Sequence, residues 1–484
     1  MVEELKNHIN GEWVSSSTDQ YVDVINPATT KMIGKTPMST TKEVEEAIQT
    51  AKESFWEWRS TPPVERARYL FKLQNLIEEN YDRLSEAVVE ENGKNIKSAR
   101  AEVQRALENV EVAAGIPSLV QGYNSEDIAR GIDEKAIKQP MGVFTCIVPF
   151  NFPAMIPFWF VPYAIATGNT YIIKPSEKVP YTAQILMELI EEAGIPEGVV
   201  NLVHGGKEVS TTLLESDDIE GVSFVGSTPV AKKVYTKAAM EGKRAQCQGG
   251  ACNFITVMPD ANLEAAKSNI FSSFFACAGQ RCLAGQNLVA VGDETYDQLK
   301  EMVVEQVPNI KVGYGLDEGV EMGPLITAKA KESILSRIDE AIDQGAKVLV
   351  DGRDIEVEGY EDGHFIGPVV LTGDIHDLDI VHEEIFGPVM NLIKVDTFEE
   401  ARDLINSNNY GNAANIYTQS GKWARKFAYE VEGGNIGINI GVPAPVPHFP
   451  FSGMKDSFFG DLHAQGRDVI DFYTEKKIVI ERYL

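Results

Sequence analysis

Val143-Phe144-Thr145-Cys146-Ile147-Val148 forms a nearly continuous apolar run that directly follows Gly142. A strand has this pattern when both faces of its sheet are covered, because neither set of alternating side chains meets water. Further apolar runs and helical patterns alternate along the chain after it, at Thr170–Ile173, Tyr181–Ala193, Val199–Val203, Glu208–Glu215, Gly221–Val225 and Pro229–Met240. This alternation predicts an α/β fold with a doubly wound parallel sheet.

The flanking regions predict a hairpin, a helical segment and a second α/β region. Asn10-Gly11 lies between His8-Ile9 and Trp13-Val14, which is typical of a two-residue β-turn. Amphipathic helices are predicted from Thr41, after Pro62-Pro63 and from about Lys97 to Ala114. After Gly249-Gly250 we expect a second α/β region with elements at Leu263–Ala278 (helix), Asn287–Val291 (strand), Glu294–Gln306 (helix) and Ala328–Gln344 (helix).

Two segments fit neither region. Tyr123–Gln139 is polar, and Ile478-Val479-Ile480 is a short strand that a lone domain would leave exposed. Both could pair with another subunit.

Composition excludes several classes of function. The 484 residues exceed one ordinary domain, so two or three are expected. A net charge of −28 disfavours nucleic-acid and anionic-membrane partners. The five scattered cysteines predict a reducing compartment without a disulfide framework. The N-terminal residues show no apolar signal region, so we expect a cytoplasmic protein.

Metal binding is not expected. Cys247 with Cys252 and Cys277 with Cys282 form two C-x₄-C pairs, but structural zinc favours tighter pairs. None of the seven histidines belongs to a recognised ligand motif.

The segment Phe271–Gly285 is the candidate for nucleophilic chemistry. An apolar helix is predicted to end at Ala278-Gly279, and the chain then turns through Gln280-Arg281 into Cys282. Gly279 permits a left-handed exit from the helix, and the resulting elbow would present the Cys282 thiol to a cleft. The alternative from local sequence is a small buried side chain, as for most intracellular cysteines.

Three strand ends carry candidate binding groups. Phe224-Val225-Gly226-Ser227 joins a buried strand to a helix N-terminus, where a pyrophosphate is favoured. Lys174-Pro175-Ser176-Glu177 places a carboxylate where it could accept ribose hydroxyls, although a solvated loop is equally consistent. Pro149-Phe150-Asn151-Phe152-Pro153 would hold an amide rigidly as an oxyanion donor, unless Asn151 is a structural turn residue.

Taken together, six segments resemble the aldehyde dehydrogenase superfamily, in its order and over essentially the whole chain: Pro149–Pro153, Lys174–Glu177, Phe224–Ser227, Gly249-Gly250, Gly279–Cys282 and Glu383–Val389. Others look like its CoA-acylating methylmalonate/malonate-semialdehyde dehydrogenase branch: Glu102–Arg105, Glu108–Glu111, Gly441–Pro445 and Phe449–Gly453.

The resemblance implies a role for each matching residue. Cys282 would be the nucleophile, and Asn151 with the backbone N–H of Cys282 would form the oxyanion hole. Arg105 and Arg281 would receive the substrate carboxylate. The NAD site would comprise Val148, Phe150, Lys174, Glu177, Lys178, Ser227, Gly249 and, at the nicotinamide ribose, Glu384.

The resemblance also implies an architecture and an oligomer. The aldehyde dehydrogenase-like fold would have an NAD-binding domain (1–121 and 142–247), a catalytic domain (248–450) and a small oligomerisation arm (122–141 and 468–484). We expect a homo-oligomer arranged as a dimer of dimers.

The reaction implied is the NAD-dependent, CoA-acylating conversion of a malonate- or methylmalonate-type semialdehyde to acetyl-CoA or propionyl-CoA with loss of CO₂. Hydrolytic members keep a glutamate base ahead of the Gly-Gly, where this chain has Cys247-Gln248. We expect Cys247 to face the cleft, where a thiol is a poor base for water and could form a disulfide with Cys282. Cys252 and Phe254 also depart from the Lys and His usual in the branch.

Two alternatives remain open at this point. A hydrolytic NAD(P)-dependent semialdehyde dehydrogenase would release a free acid. A catalytically inactive member would serve as a structural protein, although the chain retains Cys282, Asn151 and Glu384.

Overall fold

A computed structural model of the chain describes residues 3–483. Its strands, in chain order, are β1 Glu3–Glu4, β2 Asn7–Ile9, β3 Glu12–Val14, β4 Tyr21–Ile25, β5 Met32–Pro37, β6 Tyr123–Ala129, β7 Ile132–Pro140, β8 Val143–Ile147, β9 Thr170–Lys174, β10 Val200–Leu202, β11 Ile219–Val225, β12 Arg244–Gln248, β13 Asn253–Val257, β14 Gly285–Val291, β15 Lys347–Val350, β16 Val369–Thr372, β17 Val389–Val395, β18 Tyr410–Gly411, β19 Ala413–Tyr417, β20 Asn435–Ile438, β21 Met454–Lys455, β22 Phe458–Gly460 and β23 Thr474–Arg482.

The helices are α1 Thr41–Ser60, α2 Pro63–Glu79, α3 Tyr81–Asn92, α4 Ile96–Ala114, α5 Ile116–Leu119, α6 Met155–Phe158, α7 Val161–Thr167, α8 Tyr181–Glu192, α9 Lys207–Glu215, α10 Thr228–Met240, α11 Leu263–Phe275, α12 Asp293–Gln306, α13 Ala328–Asp343, α14 Asp379–His382, α15 Phe398–Ser407, α16 Gly421–Glu430 and α17 Gly466–Phe472. Short 3₁₀ helices occupy Ala276–Gly279 and Val307–Asn309.

The apolar runs form the centre of an eight-stranded sheet with the order β22-β12-β11-β8-β9-β10-β2-β3. The five strands from β12 to β10 are parallel, and all five residues of β8 are buried, as the run beginning at Val143 predicts. The chain moves from β8 to β9 and β10 on one side, and later to β11 and β12 on the other. The carboxyl ends of these strands therefore border a crevice of the kind that binds ligands in doubly wound sheets.

A second sheet has the order β15-β16-β17-β14-β13-β19-β20 and is parallel except for the edge strand β15. The fold also contains two small sheets, β1-β5-β4 and β18-β21. The predicted hairpin at Asn10-Gly11 is confirmed: both residues are left-handed, with φ values of 54° and 76°. Among residues 3–483, no helix is long and apolar enough to cross a membrane.

The two segments expected to be unpaired within the chain pair with each other. β23 runs antiparallel to β7 from Thr474 opposite Pro140 to Arg482 opposite Ile132, and β6 pairs on the other side of β7. The C-terminal strand therefore fills one edge of a β6-β7 hairpin, and pairing of this sheet with another subunit stays a prediction. Within residues 3–483, no further strand pairs with either outer strand of this three-stranded sheet, and β6 is exposed along its whole length.

Glu91, at the end of α3, holds the helix that follows the Lys174–Glu177 loop. Its carboxylate is fully buried and accepts hydrogen bonds from the backbone N–H groups of Tyr181 (2.7 Å) and Thr182 (3.0 Å), at the start of α8. Burial raises the pKa of Glu91 to about 8, although the hydrogen bonds from Thr182 and Tyr181 oppose the shift. Desolvation therefore outweighs the favourable field of the helix N-terminus.

This raised pKa predicts a specific pH dependence of stability. The folded protein binds the Glu91 proton more tightly than the unfolded chain does. The resulting contribution to the free energy of unfolding is therefore complete below pH 4.5, the ordinary pKa of a glutamate, and falls as the pH rises to about 8. In Glu91→Gln the side chain cannot ionise, so the free energy of unfolding of the variant does not fall in this way. Urea denaturation at pH 6 and pH 8 should show the variant gaining on the wild type by about 1 kcal/mol per pH unit. Parallel pH profiles for the two proteins would contradict the assignment.

Candidate active site

The elbow before Cys282 is sharper than the sequence predicts. Helix α11 ends at Phe275 rather than Ala278, and Cys277, Ala278 and Gly279 are all left-handed, with φ values of 55°, 51° and 69°. Such φ values cost non-glycine residues energy, and strain of this kind is concentrated at functional sites. Gly279 cannot be replaced, because a Cβ there would lie 2.1 Å from the carbonyl oxygen of Gly387.

Two buried amides fix the backbone of Cys282. The Nδ2 groups of Asn253 and Asn412 each donate to the Cys282 carbonyl oxygen at 2.8 Å. Asn253 also donates to the Ala284 carbonyl at 2.8 Å. Neither residue is predicted from the sequence. Their only signal is that each is a polar residue beside an apolar strand, and many strand ends share that feature.

Asn151 lies beside the elbow. Its Nδ2 donates to the carbonyl oxygen of Gln280 at 3.1 Å, two residues before Cys282. The Asn151 loop is held from behind by the α3–α4 connection, where Asn92 Nδ2 donates to the Phe150 carbonyl at 3.0 Å and Lys94 Nζ to the Asn151 carbonyl at 2.6 Å.

Lys94 forms a buried ion pair that extends this support. Its Nζ lies 2.6 Å from Glu102 Oε2, and the two side chains are 1% and 0% exposed. The other oxygen of Glu102 accepts from the backbone N–H groups of Ala154 (2.8 Å) and Met155 (3.2 Å). Lys94 also lies 4.1 Å from the ring centroid of Phe152. The ion pair therefore joins the start of α4 to both ends of the Asn151 loop.

The Cys282 thiol lines a cavity of about 200 Å³ that also contains the predicted substrate arginines. Arg105 is one-third exposed and pairs with Glu108 at 2.8 Å, which leaves it able to exchange partners. Arg281 reaches the same cavity, but its Nη2 donates to the Ser272 and Ser273 carbonyls near the end of α11. Apolar and polar side chains complete the wall: Met155, Trp159, Leu283, Phe451 and Gln465.

The cavity disfavours the thiolate in this state of the protein. Burial and the negative charge of Glu384 raise the pKa of Cys282 to about 12, while the backbone N–H groups of Cys282 and Leu283 and the Arg281 guanidinium oppose the shift. Burial also raises the pKa of Glu384 to about 7, despite a hydrogen bond from Ala251 N–H and the charge of Arg337. The two pKa values are linked, because protonation of Glu384 removes one cause of the raised thiol pKa.

The structure corrects the expected position of Cys247. Its side chain is fully buried against helix α10, among Ile147, Phe224 and Ala231, and does not line the Cys282 cavity. Successive side chains of a strand point to opposite faces, so Gln248 points the other way. Its Nε2 donates to the carbonyl of Phe451, a residue of the cavity wall, at 3.1 Å. The prediction that Cys247 faces Cys282, and with it the proposed disulfide, is wrong.

Two predicted cofactor residues lie side by side at the carboxyl ends of β8 and β9. The backbone N–H of Val148 donates to the Lys174 carbonyl at 3.2 Å. Lys174 is 5% exposed, and its Nζ lies 3.6 Å from a carboxylate oxygen of Glu177. Burial lowers the pKa of Lys174, although Glu177 opposes the shift.

Phe150 and Lys178 lie against each other nearby, with the Lys178 Nζ 5.6 Å from the Phe150 ring centroid.

The remaining cofactor residues lie at the ends of β11 and β12. Ser227 is exposed at the N-terminus of α10 and makes no capping hydrogen bond. A Cβ at Gly249 would lie 2.6 Å from the carbonyl oxygen of Asp456, and one at Gly250 would lie 2.5 Å from Glu384 Oε2. Glu384 Oε1 accepts from the backbone N–H of Ala251 at 2.9 Å. An open helix end with a free hydroxyl, beside glycines that admit no side chain, suits a pyrophosphate-bearing ligand.

The cysteines do not meet as a metal site. All five are free, and Cys252 donates from its buried thiol to the Val381 carbonyl at 3.0 Å. Within the described range of 3–483, no three His, Cys, Asp or Glu side chains form a group that could hold a metal ion.

The sequence pattern of the Aldehyde dehydrogenase family matches residues 13–479. The chain belongs to this family. Its fold, with parallel sheets and mixed α/β layers, is the aldehyde dehydrogenase fold that the sequence motifs indicated.

Individual relatives are similar over the full length of this aldehyde dehydrogenase. A malonate-semialdehyde dehydrogenase of Bacillus pumilus (strain SAFR-032) is 46% identical over 100% of this chain and 99% of the relative. Malonate-semialdehyde dehydrogenase 1 of Geobacillus kaustophilus (strain HTA426) is 45% identical over 99% of this chain and 98% of the relative.

Two solved structures are similar to this chain over its full length. A protein of Sinorhizobium meliloti 1021, provisionally named methylmalonate-semialdehyde dehydrogenase and complexed with NAD, superposes with a TM-score of 0.99 at 41% identity, covering 100% of this chain and 99% of the other. Methylmalonate-semialdehyde dehydrogenase from Oceanimonas doudoroffii gives a TM-score of 0.98 at 41% identity, with the same coverage.

The buried ion pair provides a test of how the Asn151 loop of this aldehyde dehydrogenase is held. Lys94→Met leaves the Glu102 carboxylate buried without its cation and should lower the free energy of unfolding by about 3–5 kcal/mol. The matched control is Lys52→Met, which removes an exposed lysine whose pair with Asp218 is equally short at 2.6 Å. Because water screens that pair, its loss should cost about 0–1 kcal/mol. Equal losses in urea denaturation would contradict the structural role of Lys94.

Proposed function

We propose that the chain is an NAD-dependent, CoA-acylating semialdehyde dehydrogenase acting on malonate semialdehyde or methylmalonate semialdehyde. The observation that carries the proposal is that the Cys282 thiol and the Arg105 guanidinium line one cavity of about 200 Å³. Such a cavity suits a small aldehyde with a carboxylate at its far end. The malonate-semialdehyde dehydrogenases at 45–46% identity support this choice of substrate.

The chemistry begins at Cys282. The thiol proton passes to water, the sulfur bonds to the aldehyde carbon, and the aldehyde oxygen becomes an oxyanion. In the structure Asn151 Nδ2 donates to the Gln280 carbonyl. In the reaction it turns and donates to the oxyanion, as does the backbone N–H of Cys282. Arg105 exchanges Glu108 for the substrate carboxylate and fixes the chain of the substrate in the cavity.

The residues fit NAD as the electron acceptor. Ser227 and the open end of α10 would hold the pyrophosphate, Lys174 and Glu177 the adenosine ribose, and Glu384 the nicotinamide ribose. Val148, Phe150, Lys178 and Gly249 would line its path. When bound, NAD supplies the two-electron oxidation that converts the adduct on Cys282 to a thioester.

Release of the acyl group proceeds by thiolysis. The sulfur of CoA bonds to the acyl carbon, the bond to Cys282 breaks, and the Cys282 thiol is restored. In a β-carboxy acyl group the bond to the carboxylate also breaks, CO₂ leaves, and the α-carbon takes a proton from water, so the products are acetyl-CoA or propionyl-CoA. Hydrolysis would require a free carboxylate base. Glu102, which lines the cavity, is occupied by Lys94 and two backbone N–H groups, and Gln248 offers only an amide.

The assembly is proposed on the same basis. The β6-β7-β23 sheet, with free edges, would serve as the oligomerisation arm of a dimer of dimers. The chain would divide into an NAD-binding domain and a catalytic domain near residue 248. We place the protein in the cytoplasm, where reducing conditions keep Cys282 as a thiol.

The choice between CoA and water is tested by product analysis. Enzyme freed of CoA should give one burst of NADH with malonate semialdehyde and NAD, and then turn over slowly, because Glu102 is held by Lys94 and Gln248 offers only an amide, so neither activates water. Added CoA should raise the steady-state rate at least severalfold and yield acetyl-CoA by mass spectrometry. Equal rates with and without CoA, with a free acid as the product, would favour the hydrolytic alternative.

A further inference from the structure

Three residues that line the substrate cavity each carry a buried polar atom with no hydrogen-bond partner within residues 3–483. The atoms are Oε1 of Gln465, Nε1 of Trp159 and Nε of Arg281, and Gln465 and Trp159 are only 3% and 2% exposed. A buried polar atom without a partner costs free energy, and nearly all such atoms in folded proteins are satisfied. Three in the wall of one cavity therefore suggest that a ligand supplies missing partners. The Nη2 of Arg281 already donates to the Ser272 and Ser273 carbonyls, so we consider Gln465 and Trp159 further.

The backbone of Gln465 is strained as well. Its φ of 66° and ψ of 178° lie in a region that is essentially restricted to glycine. Hydrogen bonds on both sides hold it there: Gly466 N–H donates to the Pro447 carbonyl at 3.0 Å, and Phe451 N–H to the Ala464 carbonyl at 2.8 Å. The fold thus maintains a costly conformation that keeps this amide in the cavity wall.

The available chemistry identifies the ligand group. The indole N–H of Trp159 can only donate, so its partner must be an acceptor. The Gln465 amide exchanges its oxygen for its NH₂ by rotating about its last torsion, and can then donate as well. The two carboxylate oxygens offer about four acceptor positions, more than the Arg105 guanidinium alone can fill.

We propose that Trp159 and Gln465 form an uncharged subsite that binds the substrate carboxylate beside Arg105. The inference rests on the proposed function and names two further specificity-determining residues for it. Both side chains donate to the carboxylate, and neither interacts with an aldehyde that lacks one.

Trp159→Phe and Gln465→Met test the subsite with little change in shape. Phenylalanine keeps an aromatic ring against Phe451, whose centroid lies 4.5 Å from that of Trp159. We compare kcat/KM for malonate semialdehyde and for propanal, with NAD and CoA present. Each variant should lower the semialdehyde-to-propanal ratio about tenfold or more, the usual effect of a hydrogen bond to a charged group. The loss should fall mainly on KM.

A stability measurement separates binding from a structural role. Trp58 is a matched control, since it is also 2% exposed but its Nε1 donates to the Ile165 carbonyl at 2.9 Å. Both Trp58→Phe and Trp159→Phe lose buried packing, but only Trp58→Phe also loses a hydrogen bond, so the melting temperature should fall further in Trp58→Phe than in Trp159→Phe.

Two results would overturn the subsite. One is an equal loss of activity on both aldehydes in Trp159→Phe and Gln465→Met, and the other is a melting temperature lowered as far in Trp159→Phe as in Trp58→Phe. Failure of the proposed function is a separate outcome: the wild type would then show no preference for the semialdehyde over propanal. Arg105→Leu serves as the reference, and its semialdehyde-to-propanal ratio should fall at least as far as in the two variants.

Discussion

The buried ion pair between Lys94 and Glu102 is the constraint on which the active site depends. Two charges removed from water are stable only if nearly all their hydrogen-bonding positions have partners. Here the partners are backbone groups of the Asn151 loop, namely the Asn151 carbonyl and the Ala154 N–H. The pair therefore cannot form unless that loop adopts its observed path. A charge interaction near the start of α4 thereby fixes Asn151, the proposed oxyanion donor, against the elbow before Cys282.

The elbow itself is held by opposing requirements. The left-handed φ values of Cys277 and Ala278 cost conformational energy, while hydrogen bonds from Asn253 and Asn412 hold the carbonyl of Cys282. The resulting cavity is dry enough to raise the thiol pKa to about 12. A thiol with a raised pKa reacts slowly with oxidants and other electrophiles, because the thiolate is the reactive form.

Much of this arrangement could be predicted from the sequence, because apolar periodicity reports burial directly. The run from Val143 identified the central strand, and Gly279 identified the elbow. The predicted orientation of Cys247 was wrong because side chains alternate between the two faces of a strand. The sequence alone does not show which set of alternating residues faces the cleft. The Lys94–Glu102 pair could not be found, because both residues look like ordinary charged positions flanking a helix start. Only the tertiary fold buries them.

The central claim is that Cys282 carries the acyl group, and acyl trapping tests it most directly. The enzyme is incubated with NAD and propanal without CoA, quenched in acid and digested with trypsin. Cleavage after Arg281 places Cys277 and Cys282 on different peptides. The account predicts one propionyl group per chain on the peptide that begins with Cys282, and none in Cys282→Ala. Propionylation of the Cys277 peptide, or an NADH burst without any acylated peptide, would contradict it.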